Sequence, residues 1–444
     1  MRFVYADSLD YVDPGYDFLQ DRNAPGRQAY WDDLYPHEIL DQPPYDGILV
    51  SRGIVGDRGG GKYTETQAMR FRRVGARAFL RLDDAKFQRL ALFGDCGAFT
   101  YSKESEPPYT PEDMLGFYED GGFDYGCSVD HIIFDFEPIL DGMDGGSEEA
   151  ERRFDITLAN AEVFLKASRR LGNRFTPLGV VQGWSPGSMA VAAERLVAMG
   201  YGYLAVGGTV PLRSSQIHQC LRSIRAAIPA EIRLHILGFA KADDIHEFQT
   251  YGIGSFDSAS PMIRAFKDAR ANYYLSASNG RLLYYTAIRV PQADESPKLG
   301  QLIKRGSFQQ EDLRALESEA LGSLRAYGRR EAALDDALEA VLNYAEPALF
   351  GELADHRRRA KRQDLAERYR RTLEDRPWDR CRCAICRTVG IEVVLFRASN
   401  RNKRRGIHNL AVFHNRVQRL ETRAIANGRN DGQPELFSDP RAAE

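Results

Sequence analysis

Residues 178–208 read LGVVQGWSPGSMAVAAERLVAMGYGYLAVGG, with two short apolar runs on either side of an alanine-rich segment. The runs at 178–181 and 203–206 are rich in β-branched or aromatic residues, as buried parallel strands are. The segment from Ser188 to Met199 has helical periodicity, and Gly200 follows it where a glycine commonly ends a helix. This stretch therefore predicts a strand–helix–strand unit with parallel strands.

Similar apolar runs recur on both sides of this unit, at 3–5, 47–50, 78–80, 132–134, 234–237 and 253–256. Helical patterns at 147–171 and 243–250 lie between the later runs. Eight strands with intervening helices predict an α/β fold, a (β/α)8 or TIM barrel, with an open doubly wound sheet as the alternative. The first hundred residues fit the alternation less well, so we expect insertions there.

The chain, at 444 residues, is longer than one hydrophobic core usually supports, so it should carry appended parts. From Ser307 to Asp379 the periodicity is helical throughout, and Arg, Glu, Ala and Leu dominate. We therefore expect a catalytic barrel at 1–300, a helical insertion at 301–380, a zinc-binding and basic helical subdomain at 381–426 and a disordered tail at 427–444.

The composition predicts a cytoplasmic protein that does not enter a membrane. No apolar run approaches the ~20 residues of a membrane-spanning helix, and the first residues are acidic where a secretory signal would be apolar. Three of the six cysteines fall within residues 381–386, which suits a metal site in a reducing compartment. The others, Cys96, Cys127 and Cys220, have the pattern of small core residues.

Polar residues and glycines that follow the strands are the candidate functional residues, because the reacting groups of such a barrel lie on the loops after its strands. Two carboxylates can flank a glycosidic carbon and exchange its base by double displacement. A third carboxylate with an amide can bind the donor edge of a purine, although helix caps and ion pairs are a structural alternative. The candidates are Asp95, Asp135, Gln182, Gly207, Gly208, Gly238 and Asp257.

The spacing Cys381-x-Cys383-x-x-Cys386, followed by His408, indicates a metal site. Three thiolates and one imidazole form a closed tetrahedral zinc site of the structural kind. His414 is an alternative fourth ligand.

In their order along the chain, these motifs resemble those of the tRNA-guanine transglycosylase family from about residue 90 to 420. The matching motifs are DCGAFT at 95–100, Phe134-Asp135, Gln182-Gly183, Val206-Gly207-Gly208, Ile236-Leu237-Gly238, FDSASP at 256–261, and the cysteine cluster with His408-Asn409.

The resemblance implies a role for each candidate. Asp257 is the nucleophile that forms a covalent glycosyl-enzyme, and Asp95 is the general acid and base. Asp135, Gln182 and the pair Gly207–Gly208 recognise the purine edge, while Phe99 and Leu237 enclose its faces. The cysteine cluster and His408 hold a structural Zn²⁺.

Departures from the tRNA enzymes indicate the DNA-modifying branch of the family. Cys96, Ala98 and Thr100 differ from the usual first motif, and Arg264 is only a loose match to the arginines that contact tRNA. The resemblance implies exchange of guanine in DNA for preQ0, a 7-deazaguanine. It also implies a partner ATPase, for which the helical insertion is a possible docking surface.

A basic segment from Cys381 to Leu420, with nine Lys and Arg residues and one acid, Glu392, predicts a phosphate-binding surface. Two alternatives stay open: the same exchange on tRNA, and a catalytically silent zinc-dependent subunit that binds nucleic acid. Gly56 to Lys62 has the spacing of a phosphate-binding loop, but Tyr63 stands where Ser or Thr is needed, so we expect a substrate-facing loop. We expect a structural role for His235.

Overall fold

Eight parallel strands form a closed barrel in the computed structural model, which describes residues 1–56, 61–239, 242–278, 280–350 and 353–428. The first strand pairs with both the second and the eighth, which confirms the (β/α)8 prediction over the open sheet. The strands are β1 (Arg2–Ala6), β2 (Gly47–Ser51), β3 (Ala91–Asp95), β4 (Tyr125–Cys127), β5 (Thr176–Val181), β6 (Tyr203–Val206), β7 (Arg233–Ile236) and β8 (Ile253–Ser258).

The helices surround the barrel, and those between residues 297 and 375 form an extension. They are α1 (Pro36–Ile39), α2 (Arg52–Val55), α3 (Glu65–Val74), α4 (Ala76–Phe79), α5 (Pro111–Gly121), α6 (Glu148–Ser168), α7 (Pro186–Met199), α8 (Ser214–Ala227), α9 (Ser260–Lys267), α10 (Pro297–Lys304), α11 (Gln310–Gly328), α12 (Leu334–Phe350), α13 (Asp355–Asp375), α14 (Pro377–Arg380), α15 (Ala384–Val389) and α16 (Ser399–Gly428). A hairpin of β9 (Tyr273–Ser276) and β10 (Leu282–Tyr285) follows α9, and the two-residue strands β11 (Ile288–Arg289) and β12 (Leu395–Phe396) pair with each other. Within the described residues, no helix is both long and apolar enough to cross a membrane.

Two predicted strands are wrong. Residues 78–80 lie in and just after the short helix α4, and residues 132–134 follow β4 without strand pairing. The true third and fourth strands, β3 and β4, are hard to detect because each has a glycine at an outward position, Gly94 and Gly126. Added Cβ atoms there would lie 2.2 and 2.6 Å from the Tyr118 ring of α5, so an aromatic side chain fills the space that apolar strand residues usually occupy.

Helix α16 lies along the outside of β1 and β8, where the eighth helix of a (β/α)8 barrel belongs. The Phe413 ring packs edge-on against Phe3 of β1, with 5.0 Å between centroids. Near its start, Lys403 donates to the Leu9 carbonyl beyond the end of β1, and further along His414 contacts Asp46, just before β2. The helix therefore runs back from the carboxyl ends of the strands to their amino ends.

The predicted phosphate-binding surface from Cys381 to Leu420 needs correction, because its central cations are buried. Arg401 and Arg405 are completely buried, and Arg404 is nearly so. Arg401 forms ion pairs with Asp21 and Glu392, and Arg405 donates to the carbonyls of Ala265, Val393 and Leu395. These side chains fasten α16 to the N-terminal loop and to α9, so they are not available to phosphates.

Several other predictions meet the structure only in part. Helices α10 to α13 fill the region predicted as a helical insertion, and a 3₁₀ helix spans Ala242–Tyr251 where a helix was predicted at 243–250. The domain boundaries that we placed at residues 300, 380 and 426 stay predictions. The centre of the loop from Gly56 to Lys62, and the tail beyond residue 428, lie outside the described residues.

Candidate active site

The inward-facing positions at the carboxyl ends of the strands form one polar layer. Successive side chains of a strand point to opposite faces, so each residue two places after an inward apolar residue also points inward. Leu49, Phe93, Val180 and Ala205 line the barrel interior. Two residues after each of these come Ser51, Asp95, Gln182 and Gly207.

Asp257 belongs to the same layer, on β8, and is almost fully buried. Its Oδ1 accepts the Gly238 N–H at 2.9 Å and lies 3.2 Å from Nε2 of His235. Among the described residues, these hydrogen bonds both reach Oδ1, and Oδ2 accepts none. One oxygen is thus fixed by the protein, and the other is available to a substrate.

Asp95, at the end of β3, is a carboxyl group that can exchange a proton near neutral pH. Its burial, and then the nearby charges of Asp130 and Asp257, raise its pKa to about 7, although bonds from the Gly97 N–H and the Ser51 hydroxyl oppose the rise. A general acid or base works best when its pKa lies close to the working pH. The influence of Asp257 also shows that the two predicted catalytic carboxylates share one site.

Asp130 and Gln182 form a second polar pair in this mouth. Gln182 Nε2 donates to Oδ2 of Asp130 at 2.7 Å, and both side chains are buried. An added Cβ at Gly207 would lie only 2.4 Å from Gln182 Nε2, so a larger residue would displace the amide. Gly208 has a φ of +69°, a conformation that favours glycine. Carboxylate, amide and exposed backbone together suit the polar edge of a purine.

Asp135 does not occupy the position that the sequence prediction gave it. It follows the unpaired residues 132–134 rather than a strand, its side chain is exposed, and its Oδ2 accepts the Ser147 hydroxyl at 2.9 Å. The acidic residue next to Gln182 is Asp130, three residues after β4 ends. The geometry therefore places Asp130, and not Asp135, beside Gln182.

Phe99 and Leu237 lie at the rim. The Phe99 side chain is 53% exposed and its ring centroid lies 5.8 Å from that of Phe134, another exposed ring. Leu237 is partly buried against the apolar interior of the barrel. An exposed aromatic ring and a half-buried leucine are suitable surfaces for the faces of a planar base.

Cys96 supports the site but is not a nucleophile. Its thiol is fully buried and donates to Oδ1 of Asp130 at 3.0 Å, while the Tyr101 hydroxyl donates to its sulfur. Burial raises the pKa of this thiol well above its usual value, so it stays protonated.

Cys381, Cys383, Cys386 and His408 form a candidate metal centre, with their ligand atoms within 4.8 Å of one another. His408 Nδ1 lies 3.3 to 3.5 Å from the three sulfurs, and its Nε2 donates to the Tyr274 carbonyl at 2.7 Å. Bond lengths typical of zinc give tetrahedral S-to-N edges of about 3.6 Å. The four residues therefore fit such an ion. His414, the alternative ligand, contacts Asp46 instead.

Sequence reasoning missed Asp130 and assigned His235 no part in the site. Asp130 follows the three-residue strand YGC, which carries almost no strand signal. His235 occupies an inward position of β7, two residues before Leu237, and alternation along that strand would have placed it beneath the site.

The chain is similar in sequence to known proteins of two kinds. A family model described as queuine tRNA-ribosyltransferase matches residues 109–310. A DNA-guanine transglycosylase from Salmonella montevideo is 42% identical over 421 residues, which are 94% of this chain and 97% of that protein. Queuine tRNA-ribosyltransferases from Mannheimia succiniciproducens and Actinobacillus pleuropneumoniae are both 30% identical, but over 24% and 29% of this chain and 31% and 34% of their own.

The raised pKa of Asp95 predicts that this carboxyl group destabilises the fold at alkaline pH. Its pKa rises on folding, so its contribution to stability is fully present below about pH 4 and is lost as the pH rises to about 7. Asp95→Asn should therefore raise the melting temperature relative to wild type, and by more at pH 8 than at pH 5. Thermal unfolding at the two pH values measures the difference.

The matched control is Asp135→Asn, which removes an exposed carboxylate. It should shift the melting temperature equally at both pH values. An equal shift for Asp95→Asn as well would contradict the assigned environment of Asp95.

Proposed function

Because the chain belongs to the guanine transglycosylase family, by its identity to a DNA-guanine transglycosylase over nearly its whole length, we propose that it replaces guanine in DNA by the 7-deazaguanine preQ0. The observation that carries the proposal is the pair Asp95 and Asp257 in one barrel mouth, close enough for the charge of Asp257 to raise the pKa of Asp95. The reaction is a double displacement at the sugar carbon that bears the base.

In the first half, Asp257 Oδ2 attacks C1′ of the target nucleotide. The bond from C1′ to the guanine nitrogen breaks, its electron pair leaves with the base, and Asp95 supplies a proton. Support for these roles comes from the pKa of Asp95, about 7, which leaves a large protonated fraction at neutral pH.

In the second half, the incoming base loses a proton to the Asp95 carboxylate and attacks C1′. The bond between C1′ and Asp257 then breaks, and Asp257 returns to its free carboxylate form. Asp130 and Gln182, with the backbone at Gly207 and Gly208, recognise the polar edge of each base. Phe99 and Leu237 enclose its faces.

DNA is favoured over tRNA by the extent of the similarity. The alignment with the DNA-guanine transglycosylase spans 94% of this chain, whereas the tRNA-modifying relatives align with less than a third of it. A target guanine in a duplex must leave the base stack before Asp257 can reach its sugar.

The test of this proposal is base exchange by Asp257→Asn. Wild-type protein should release labelled guanine from a guanine-containing oligodeoxynucleotide when preQ0 is present, and the reaction quenched without preQ0 should contain a covalent protein–DNA adduct. Asp257→Asn should lower the rate by at least about 10³-fold, because an amide is a poor nucleophile and a poor leaving group.

Single-stranded DNA, duplex DNA and tRNA are compared in parallel, with Asp135→Asn as the control that should keep its activity. Full activity of Asp257→Asn would contradict the assigned nucleophile. Exchange on tRNA alone would contradict DNA as the substrate, but it would still agree with the double displacement. Absence of both adduct and exchange on every substrate would favour a catalytically silent binding subunit.

The metal of the cysteine centre is proposed to be a structural Zn²⁺. Three sulfurs and one imidazole leave no open position for a substrate, and thiolates are preferred zinc ligands. Zinc there would join the segment 381–386 to the first third of α16. Thiolates of this kind persist in a reducing compartment, which supports the cytoplasmic location expected from the sequence.

Cys383→Ala should remove the zinc and destabilise the protein, whereas Cys220→Ala, at a buried cysteine of α8, should keep it. Loss of a structural zinc should lower the melting temperature by roughly 5 to 10 °C. Metal analysis of the purified variants gives the stoichiometry, and thermal unfolding gives the stability. Wild-type protein that holds a different metal, or none, would contradict the assignment.

We propose that α13 supplies some of the phosphate contacts. The buried arginines of α16 cannot supply them. Arg357, Arg359 and Lys361 are exposed on the first two turns of α13, and none of them forms an ion pair with a described residue. Several cations at the amino end of a helix oppose its dipole, so they are costly unless an anion approaches them. The same extension is where we expect the partner ATPase to dock.

Arg357→Gln/Lys361→Gln should weaken DNA binding and reduce the slope of log affinity against log salt by roughly two. The control, Arg169→Gln/Arg174→Gln, removes two exposed cations that precede β5, at the opposite end of the barrel from the site. Binding is measured by fluorescence anisotropy from 50 to 200 mM salt. Equal slopes for the two double variants would contradict a role for α13.

A further inference from the structure

A chain of buried hydrogen bonds runs through the barrel interior beneath Asp257. His235 Nε2 lies 3.2 Å from Asp257 Oδ1, and His235 Nδ1 lies 2.5 Å from the Ser255 hydroxyl. The Ser255 hydroxyl in turn lies 2.6 Å from that of Tyr203. The four side chains occupy inward positions of β6, β7 and β8, so the chain leads from the reacting carboxylate toward the other end of the barrel.

The direction of every bond in this chain follows from the chemistry of its ends. An ionised Asp257 can only accept, so His235 Nε2 carries the hydrogen. In a neutral imidazole Nδ1 is then an acceptor, so Ser255 donates to it, and Tyr203 donates to Ser255. Burial raises the pKa of Tyr203 to about 12, which keeps its hydroxyl protonated. All three donors therefore point toward Asp257.

Packing holds the imidazole in this orientation. His235 is completely buried, and its ring stacks on Phe93 with 5.3 Å between centroids. The Tyr203 ring is covered by the Arg233 guanidinium at 4.4 Å. A fully buried histidine with both ring nitrogens bonded has little freedom to turn.

We propose that His235 is a positioning residue for the nucleophile, a role that rests on the proposed function. With the Gly238 N–H it holds Asp257 Oδ1, which leaves Oδ2 directed at the sugar. It also stabilises the carboxylate charge that returns when Asp257 leaves the sugar carbon in the second displacement. No proton is transferred along the chain in this role, because His235 donates a hydrogen bond throughout.

The direct test is His235→Phe, which keeps an aromatic ring on Phe93 but removes the donor. Removing a hydrogen-bonding partner behind a reacting group commonly lowers activity about 10- to 100-fold. We expect kcat for base exchange to fall by that factor. KM for preQ0 should stay within about threefold, because His235 does not contact the base.

Two further measurements separate positioning from a general structural role. The fraction of enzyme trapped as the covalent adduct during turnover should rise in His235→Phe, since departure of Asp257 loses a stabilising donor. His235→Gln, whose side-chain amide can donate from nearly the position of Nε2, should recover much of kcat. Tyr203→Phe, at the far end of the chain, should lower kcat only a few-fold.

Unchanged kcat in a folded His235→Phe protein would overturn the proposal, and so would equal losses in His235→Phe and His235→Gln. A parallel fall in kcat and thermal stability without a change in adduct fraction would also overturn it. None of these results affects the proposed function, which depends instead on Asp257→Asn losing exchange.

Discussion

The repulsion among three carboxyl groups in one barrel mouth is the constraint on which the rest of the site depends. Asp95, Asp130 and Asp257 cannot all hold a negative charge in a poorly solvated space without large cost. The structure gives each a different environment. Asp257 accepts the Gly238 N–H and lies against His235, Asp130 accepts from Gln182 and Cys96, and Asp95 is left with a pKa of about 7. Different environments thus give three identical functional groups different affinities for a proton, as the proposed division of roles requires.

Much of this site could be predicted from the order of the strands and from the alternation of inward and outward side chains along each strand. Asp95, Gln182, Gly207 and Asp257 could be chosen because each follows a run of apolar residues, and the barrel brings such positions together. Asp130 could not be found in this way, because its strand is three residues long and contains a glycine. The apolar run at 132–134 looked more like a strand, so the prediction moved to Asp135. A short apolar run indicates burial and leaves the type of element undecided.

Composition, in contrast, predicted a wrong surface. The density of arginines after residue 381 suggested contact with phosphates, but whether a cation is solvated depends on what packs against it. Residues of the N-terminal loop, such as Asp21, lie more than 370 positions away in the sequence and pair with these arginines. A pattern within a short stretch of sequence cannot indicate a contact between residues so far apart. The cysteine spacing correctly predicted a cluster of possible metal ligands, because three of the four residues lie within 381–386.

The position of α16 has a consequence for the synthesis of this protein. The outer wall over β1 and β8 is supplied by residues 399–428, which leave the ribosome long after both strands. Until then, Phe3 and Phe256 lack the ring that covers them, and the nascent chain carries an uncovered apolar seam. Long-range closure of this kind is slow and exposes the intermediate to aggregation. The barrel thus depends on α16 to mature, however early the residues of its mouth have been translated.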